Sequence, residues 1–149
     1  VTVNNLVARL EVFAAAALVD MRLEAHGEDD ARAPVIVAGW LPPKRSAGEP
    51  TPPLVLIRPT KGQDAIDGST IEVLFLVETF SEDQEGWQDA SNILQRLRGA
   101  LTGADPLGPF CLELPLTWEL FADQPEPQWG GFITTTWTQP RIDQIGITQ

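Results

Sequence analysis

The chain has 149 residues and a mass of 16.3 kDa, the size of one domain, with 43% apolar residues to build a core. Its 21 acids outnumber 10 bases, a formal net charge of −11, which disfavours direct nucleic-acid binding because phosphate contacts need Lys and Arg. A single cysteine, Cys111, excludes an internal disulfide and a cysteine-clustered zinc site; the longest apolar run, Val12 to Val19, is too short to span a membrane, and the first residues lack the basic start of a secretory signal.

A first helix is predicted from about Asn4 to Ala25. Leu6, Leu10, Phe13, Ala17 and Met21 recur at helical spacing, and Val7, Ala14 and Leu18 widen the stripe. Asn4 or Asn5 suits the N-cap, and Gly27 suits the stop. The acidic Glu28-Asp29-Asp30 that follows reads as a solvated cluster.

Val35 to Val37 predicts a short strand. Pro42, Pro43, Pro50, Pro52 and Pro53 then crowd one stretch. No helix or central strand tolerates that density, so an exposed loop carrying Lys44 and Arg45 is expected. Leu54 to Arg58 is a second strand, followed by turns at Lys61-Gly62-Gln63-Asp64 and Asp67-Gly68.

Ile71 to Phe80 is the third strand. Ile71, Val73, Phe75 and Val77 share one face, and Leu74 and Leu76 make the other apolar too. That pattern predicts a central strand covered on both sides. Ser81 with Gln84 forms a capping-box pattern, with Glu82, Asp83 and Glu85 where a helix dipole favours anions. Trp87, Ala90, Leu94, Leu97 and Leu101 then mark the buried stripe of a second helix, with Arg96 and Arg98 in its last turns and Gly103 at its end.

The remainder reads as a hairpin. Phe110, Leu112, Leu114, Leu116 and Trp118 alternate with Cys111, Glu113, Pro115, Thr117 and Glu119, a half-buried strand whose Pro115 favours an edge or a bulge. Asp123 to Pro127 is the turn, and Trp129 to Thr138 returns. The order is helix, three strands, helix, two strands. The fold class is α+β: a mostly antiparallel sheet of four or five strands with two helices packed on it.

Catalytic patterns are sparse. His26, the one histidine, has no nucleophile motif beside it, and no phosphate-binding glycine loop precedes Lys61. Cys111 fits a small packing residue of its strand. Glu113, Glu119 and Asp123 would supply a carboxylate dyad if the hairpin gathered them, and Asp64 with Asp67 would be the acids of an oxygen-ligand metal site. Spacing in so acidic a chain makes neither specific. Of five tryptophans, Trp87, Trp118 and Trp137 are expected in the core. Trp129 and Trp40 each fit two roles, seating a Pro-rich turn or anchoring a partner.

Three segments together resemble the tail terminator proteins of long-tailed bacteriophages and prophages. The first is Leu54-Val55-Leu56-Ile57-Arg58-Pro59-Thr60-Lys61-Gly62-Gln63-Asp64, a strand with a Gly-Asp turn. The second runs from Phe80-Ser81-Glu82-Asp83-Gln84-Glu85-Gly86-Trp87 into the helix ending near Leu101. The third is the last hairpin, Leu114-Pro115-Leu116-Thr117-Trp118-Glu119-Leu120-Phe121-Ala122-Asp123-Gln124-Pro125-Glu126-Pro127-Gln128-Trp129, closing on Thr134-Thr135-Thr136-Trp137. The resemblance covers about Leu54 to Pro140.

It implies an α/β sandwich without cofactor or active site. It also implies a ring of six subunits that caps the tail tube, stops its polymerisation and docks to the head–tail connector. The expected partners are a second copy of the chain, the tail tube protein and the connector or stopper protein. DNA would pass through the lumen without specific binding, and no membrane is involved. The expected place is the virion neck, and the host cytoplasm during assembly. The interface residues expected on this basis are Arg58, Lys61, Asp64, Glu82, Asp83, Asp123, Gln124 and Trp129. A neighbour's Glu82-Asp83-Glu85 would receive Arg58 and Lys61; the plainer alternative is that Arg58 caps a strand end and Lys61 is solvated. The rival readings are another neck or tail component, a small acidic enzyme, and an acidic binding module.

Overall fold

The computed structural model describes residues 2–25, 30–41, 51–104 and 106–140. Its elements are α1 (Thr2–Leu18), β1 (Val35–Ala38), β2 (Leu54–Ala65), β3 (Gly68–Phe80), α2 (Trp87–Gly103), β4 (Cys111–Leu120) and β5 (Gln128–Pro140). The strands form one sheet in the order β1-β2-β3-β5-β4. Only the β1–β2 pair is parallel; the other three pairs are antiparallel. The fold is therefore α+β with a mostly antiparallel sheet and two helices, as the residue patterns predict. The expected Pro-rich loop falls chiefly on 42–50, outside the described residues with Lys44 and Arg45. His26 to Asp29 and the tail beyond Pro140 also lie outside them.

Both helices pack on one face of the sheet. α1 buries Leu6, Val7, Leu10, Ala14 and Leu18, and α2 buries Ala90, Ile93, Leu94, Leu97 and Leu101. They meet Val55 and Ile57 of β2, Ile71 to Val77 of β3 at alternate positions, and Ile133 and Trp137 of β5 in one core. Fully burying each such side chain contributes about 1.5–3 kcal/mol. β3 is central, as its sequence suggests, but among the described residues it is covered on one face only. No helix packs on its second face among the described residues, and Leu74 and Leu76 there are only half-buried.

Four boundaries differ from expectation for physical reasons. α1 ends at Leu18 instead of Ala25; the Met21 N–H bonds the Leu18 carbonyl (3.1 Å), and the Arg22 guanidinium donates to the freed carbonyls of Val19 (2.9 Å) and Met21 (2.8 Å). Leu23 then pairs with Arg32 in an isolated bridge. Asn4 and Asn5 lie inside α1, which starts at Thr2. Lys61 to Asp64 is not a turn. β2 continues to Ala65 against β3, and the chain turns at Ile66-Asp67. Gly62 serves this pairing, since a Cβ there would sit 2.7 Å from the Thr70 carbonyl oxygen. Finally, α2 starts at Trp87, not at Ser81. The Ser81 hydroxyl instead accepts from the Asp83 N–H (3.2 Å), and Asp83 Oδ1 accepts from the Glu85 N–H (2.9 Å). Those two bonds shape a loop ahead of the helix rather than a capping box.

Candidate interaction surfaces

The β3–α2 loop and the last hairpin are locked together. Trp129, at the start of β5, is 7% exposed, and its Nε1 donates to the Ser81 carbonyl at 2.9 Å. Gly86 lies against the indole, where an added Cβ would clash with Trp129 Nε1 and come within 2.8 Å of Ser81 Cβ. Gln124 closes the hairpin end. Its Nε2 donates to the carbonyls of Phe121 (2.8 Å) and Gly130 (3.0 Å), and its Oε1 accepts from the Gly130 N–H (2.8 Å). Trp129 thus seats the turn, and both it and Gln124 act inside the fold rather than as exposed anchors.

Arg58 is similarly engaged. Its Nε donates to the Gly39 carbonyl at 3.3 Å, and its guanidinium lies 4.9 Å from the centroid of Trp40. Trp40 itself stays 62% exposed. Asp64 accepts from the Ser69 hydroxyl at 2.6 Å, across the β2–β3 hairpin. Glu82 and Asp83 are exposed on the loop before α2, and Asp123 is exposed at the last turn. The eight expected interface residues therefore do not form one patch. Arg58, Gln124 and Trp129 hold the fold, whereas Lys61 stands exposed on β2.

Four aromatic and packing expectations are overturned. Trp87 is 41% exposed and Trp118 is 44% exposed. Trp87 begins its helix beyond the core stripe, and Ile93 takes a buried place there instead. Trp118 belongs to the edge strand, and Arg98 lies over its ring at 5.3 Å. Neither Arg96 nor Arg98 reaches the last turn of α2; Arg96 bonds Asp20 at 2.8 Å. That bond, then the charge of Arg96, holds the Asp20 carboxyl below its ordinary range. Cys111 is exposed rather than packed, and Leu114 is exposed within a register shift of β4 between Glu113 and Thr117 that brackets Pro115. Trp137, by contrast, is in the core, 1% exposed.

The hairpin does not bring Glu113 and Glu119 together. Glu113 pairs with Thr136 and Glu119 with Phe132. Four residues of β5 separate those partners, roughly 13 Å along an antiparallel strand, too far for a shared dyad. No group of three or more His, Cys, Asp or Glu able to hold a metal occurs among the described residues. The Asp89 carboxyl is pushed above its ordinary range, first by burial, then by the charges of Glu24 and Asp83. No described helix is long and apolar enough to cross a membrane.

The sheet also presents two edges that sequence reasoning missed. β1 pairs with β2 only from Leu54 to Ile57. From Thr60 to Ala65 the outer side of β2 is exposed and meets no strand among the described residues. The opposite edge is β4. One cross-strand row joins them: Lys61 faces Glu72, Glu72 faces Thr136, and Thr136 faces Glu113. The signal is the register itself, which no spacing along the chain encodes.

No protein-family model matches the chain, and no curated protein matches it.

Proposed function

We propose that the chain is a structural tail terminator of a long-tailed phage or prophage. In this reading it forms a ring that caps the tail tube, halts its polymerisation and offers the docking surface for the head–tail connector. The observation that carries it is the Trp129–Ser81 hydrogen bond at 2.9 Å. It ties the second resembling segment to the third, while the first pairs along β3 between them. The segments that carry the resemblance are thus one packed unit rather than scattered likenesses. A net charge of −11 suits a ring through which DNA slides without sticking. The separation of Glu113 from Glu119 along β4 weighs against a dyad of those two acids, one form of the acidic-enzyme alternative.

The test adds the purified chain to polymerising tail tube protein from the same phage and measures tube length by electron microscopy. Tubes that stop short with a ring at one end support the proposal. Tubes of unchanged length and without caps contradict it.

A further inference from the structure

The two edges of the sheet carry opposite charge at the same level. Lys61 ends the row Lys61–Glu72–Thr136–Glu113 on one side, and Glu113 ends it on the other. Both side chains are exposed, and residues paired across an antiparallel ladder project from the same face. The strand directions fit as well. β2, β3, β5 and β4 alternate in direction, so β2 and β4 run opposite ways. A second copy set beside the first in the same orientation therefore brings the Cys111–Leu114 end of its β4 antiparallel to the part of β2 that β1 leaves open, and the register shift between Glu113 and Thr117 is where its β4 must part from the place that β1 holds. With no slip of register, Glu113 of one copy then faces Lys61 of the next.

We infer that β2 from Thr60 to Gln63 joins Cys111 to Leu114 of β4 in a second copy of this chain, strand against strand, with Lys61 opposite Glu113. The joint is heterologous, because each copy contributes a different edge to each neighbour. Such joints propagate, closing into a ring or running on as a filament. Strand addition at a free edge supplies main-chain hydrogen bonds, and the charge pair sets which edge and which register are used. Lysine also guards free edges against indiscriminate pairing. Here a carboxylate waits at the matching level on the other edge. This inference deepens the ring proposed above and rests on that reading for closure; the joint itself rests on the two edges.

Within one chain Lys61 and Glu113 lie three strand spacings apart, roughly 14 Å. A disulfide needs Cα atoms within about 7 Å, whereas directly opposed antiparallel residues lie roughly 4.5–5.5 Å apart. Cysteines at these two positions can therefore bond between copies and not within one.

The experiment places Lys61→Cys and Glu113→Cys together in a Cys111→Ser background and oxidises the protein. Non-reducing gels are compared with sedimentation of the unmodified chain. The expected result is a ladder beyond the dimer in the double variant, and no more than a dimer from either cysteine alone. Rings of the unmodified chain without a ladder overturn the joint and leave the ring reading standing. A ladder from open filaments upholds the joint and overturns the ring. A chain that stays monomeric and gives no ladder overturns both.

Discussion

The indole N–H of Trp129 donates to the carbonyl oxygen of Ser81, 48 residues earlier, at 2.9 Å. The bond fastens the start of β5 to the exit of β3, just before the loop into α2. Removing the ring deletes a buried aromatic and leaves that carbonyl without its donor. Trp129→Ala should cost about 3–5 kcal/mol of stability. Trp129→Phe keeps most of the bulk and loses the bond, at about 1–3 kcal/mol. Urea unfolding measures both, and a Trp129→Phe variant as stable as the parent would mean that the bond contributes nothing.

Arg58 and Lys61, three residues apart on β2, should separate cleanly. Arg58 stacks on Trp40 and bonds Gly39, so Arg58→Ala should lose about 1 kcal/mol. Lys61 is exposed, so Lys61→Ala should stay within about 0.5 kcal/mol of the parent. The same unfolding midpoints decide, and a larger loss for Lys61 would move it from the surface into the fold.

Asp89 gives a pH signature. Burial, then Glu24 and Asp83, hold its folded pKa above the ordinary value. The folded state therefore binds this proton more tightly than the unfolded chain does. Its contribution favours folding at low pH. That contribution is lost as pH rises from the unfolded pKa through the folded one. Asp89→Asn removes the titration, so its stability relative to the parent should be higher at about pH 7 than at about pH 3. Thermal melts across that range measure the difference, and a constant offset would contradict the shift.

Charge exchange at the edges should act chiefly on assembly. Lys61→Glu and Glu113→Lys each set like charges opposite one another in the inferred joint. Each single variant should sediment as smaller species than the parent, and the double exchange should restore the parent's assembly. Glu113→Lys, which faces Thr136 within its own chain, should keep the parent's melting temperature, whereas Lys61→Glu also faces Glu72 and should melt slightly lower. Single variants that assemble like the parent, or a double exchange that fails to restore assembly the single variants lose, would remove Lys61 and Glu113 from the joint.

The order of the seven elements was legible because alternation in Ile71 to Val77 and helical spacing in Ala90 to Leu101 are local signals. What was misread depended on distant partners. Gly62 looked like a turn residue, yet its small size serves the Thr70 carbonyl across the hairpin. Trp118 and Leu114 alternate as core residues would. Their exposure follows from β4 being an edge strand with a register shift, and strand order is not written in spacing. Trp129 stayed ambiguous because Ser81 lies 48 residues away. Lys61 was singled out for its charge, but its counterpart Glu113 emerges only from three successive strand registers.

The central claim is that the chain ends tail growth. The most direct measurement is electron microscopy of lysates from a phage lacking the gene for this chain. The account predicts tails of abnormal, overlong length beside filled heads without tails. Intact particles with tails of normal length would contradict it.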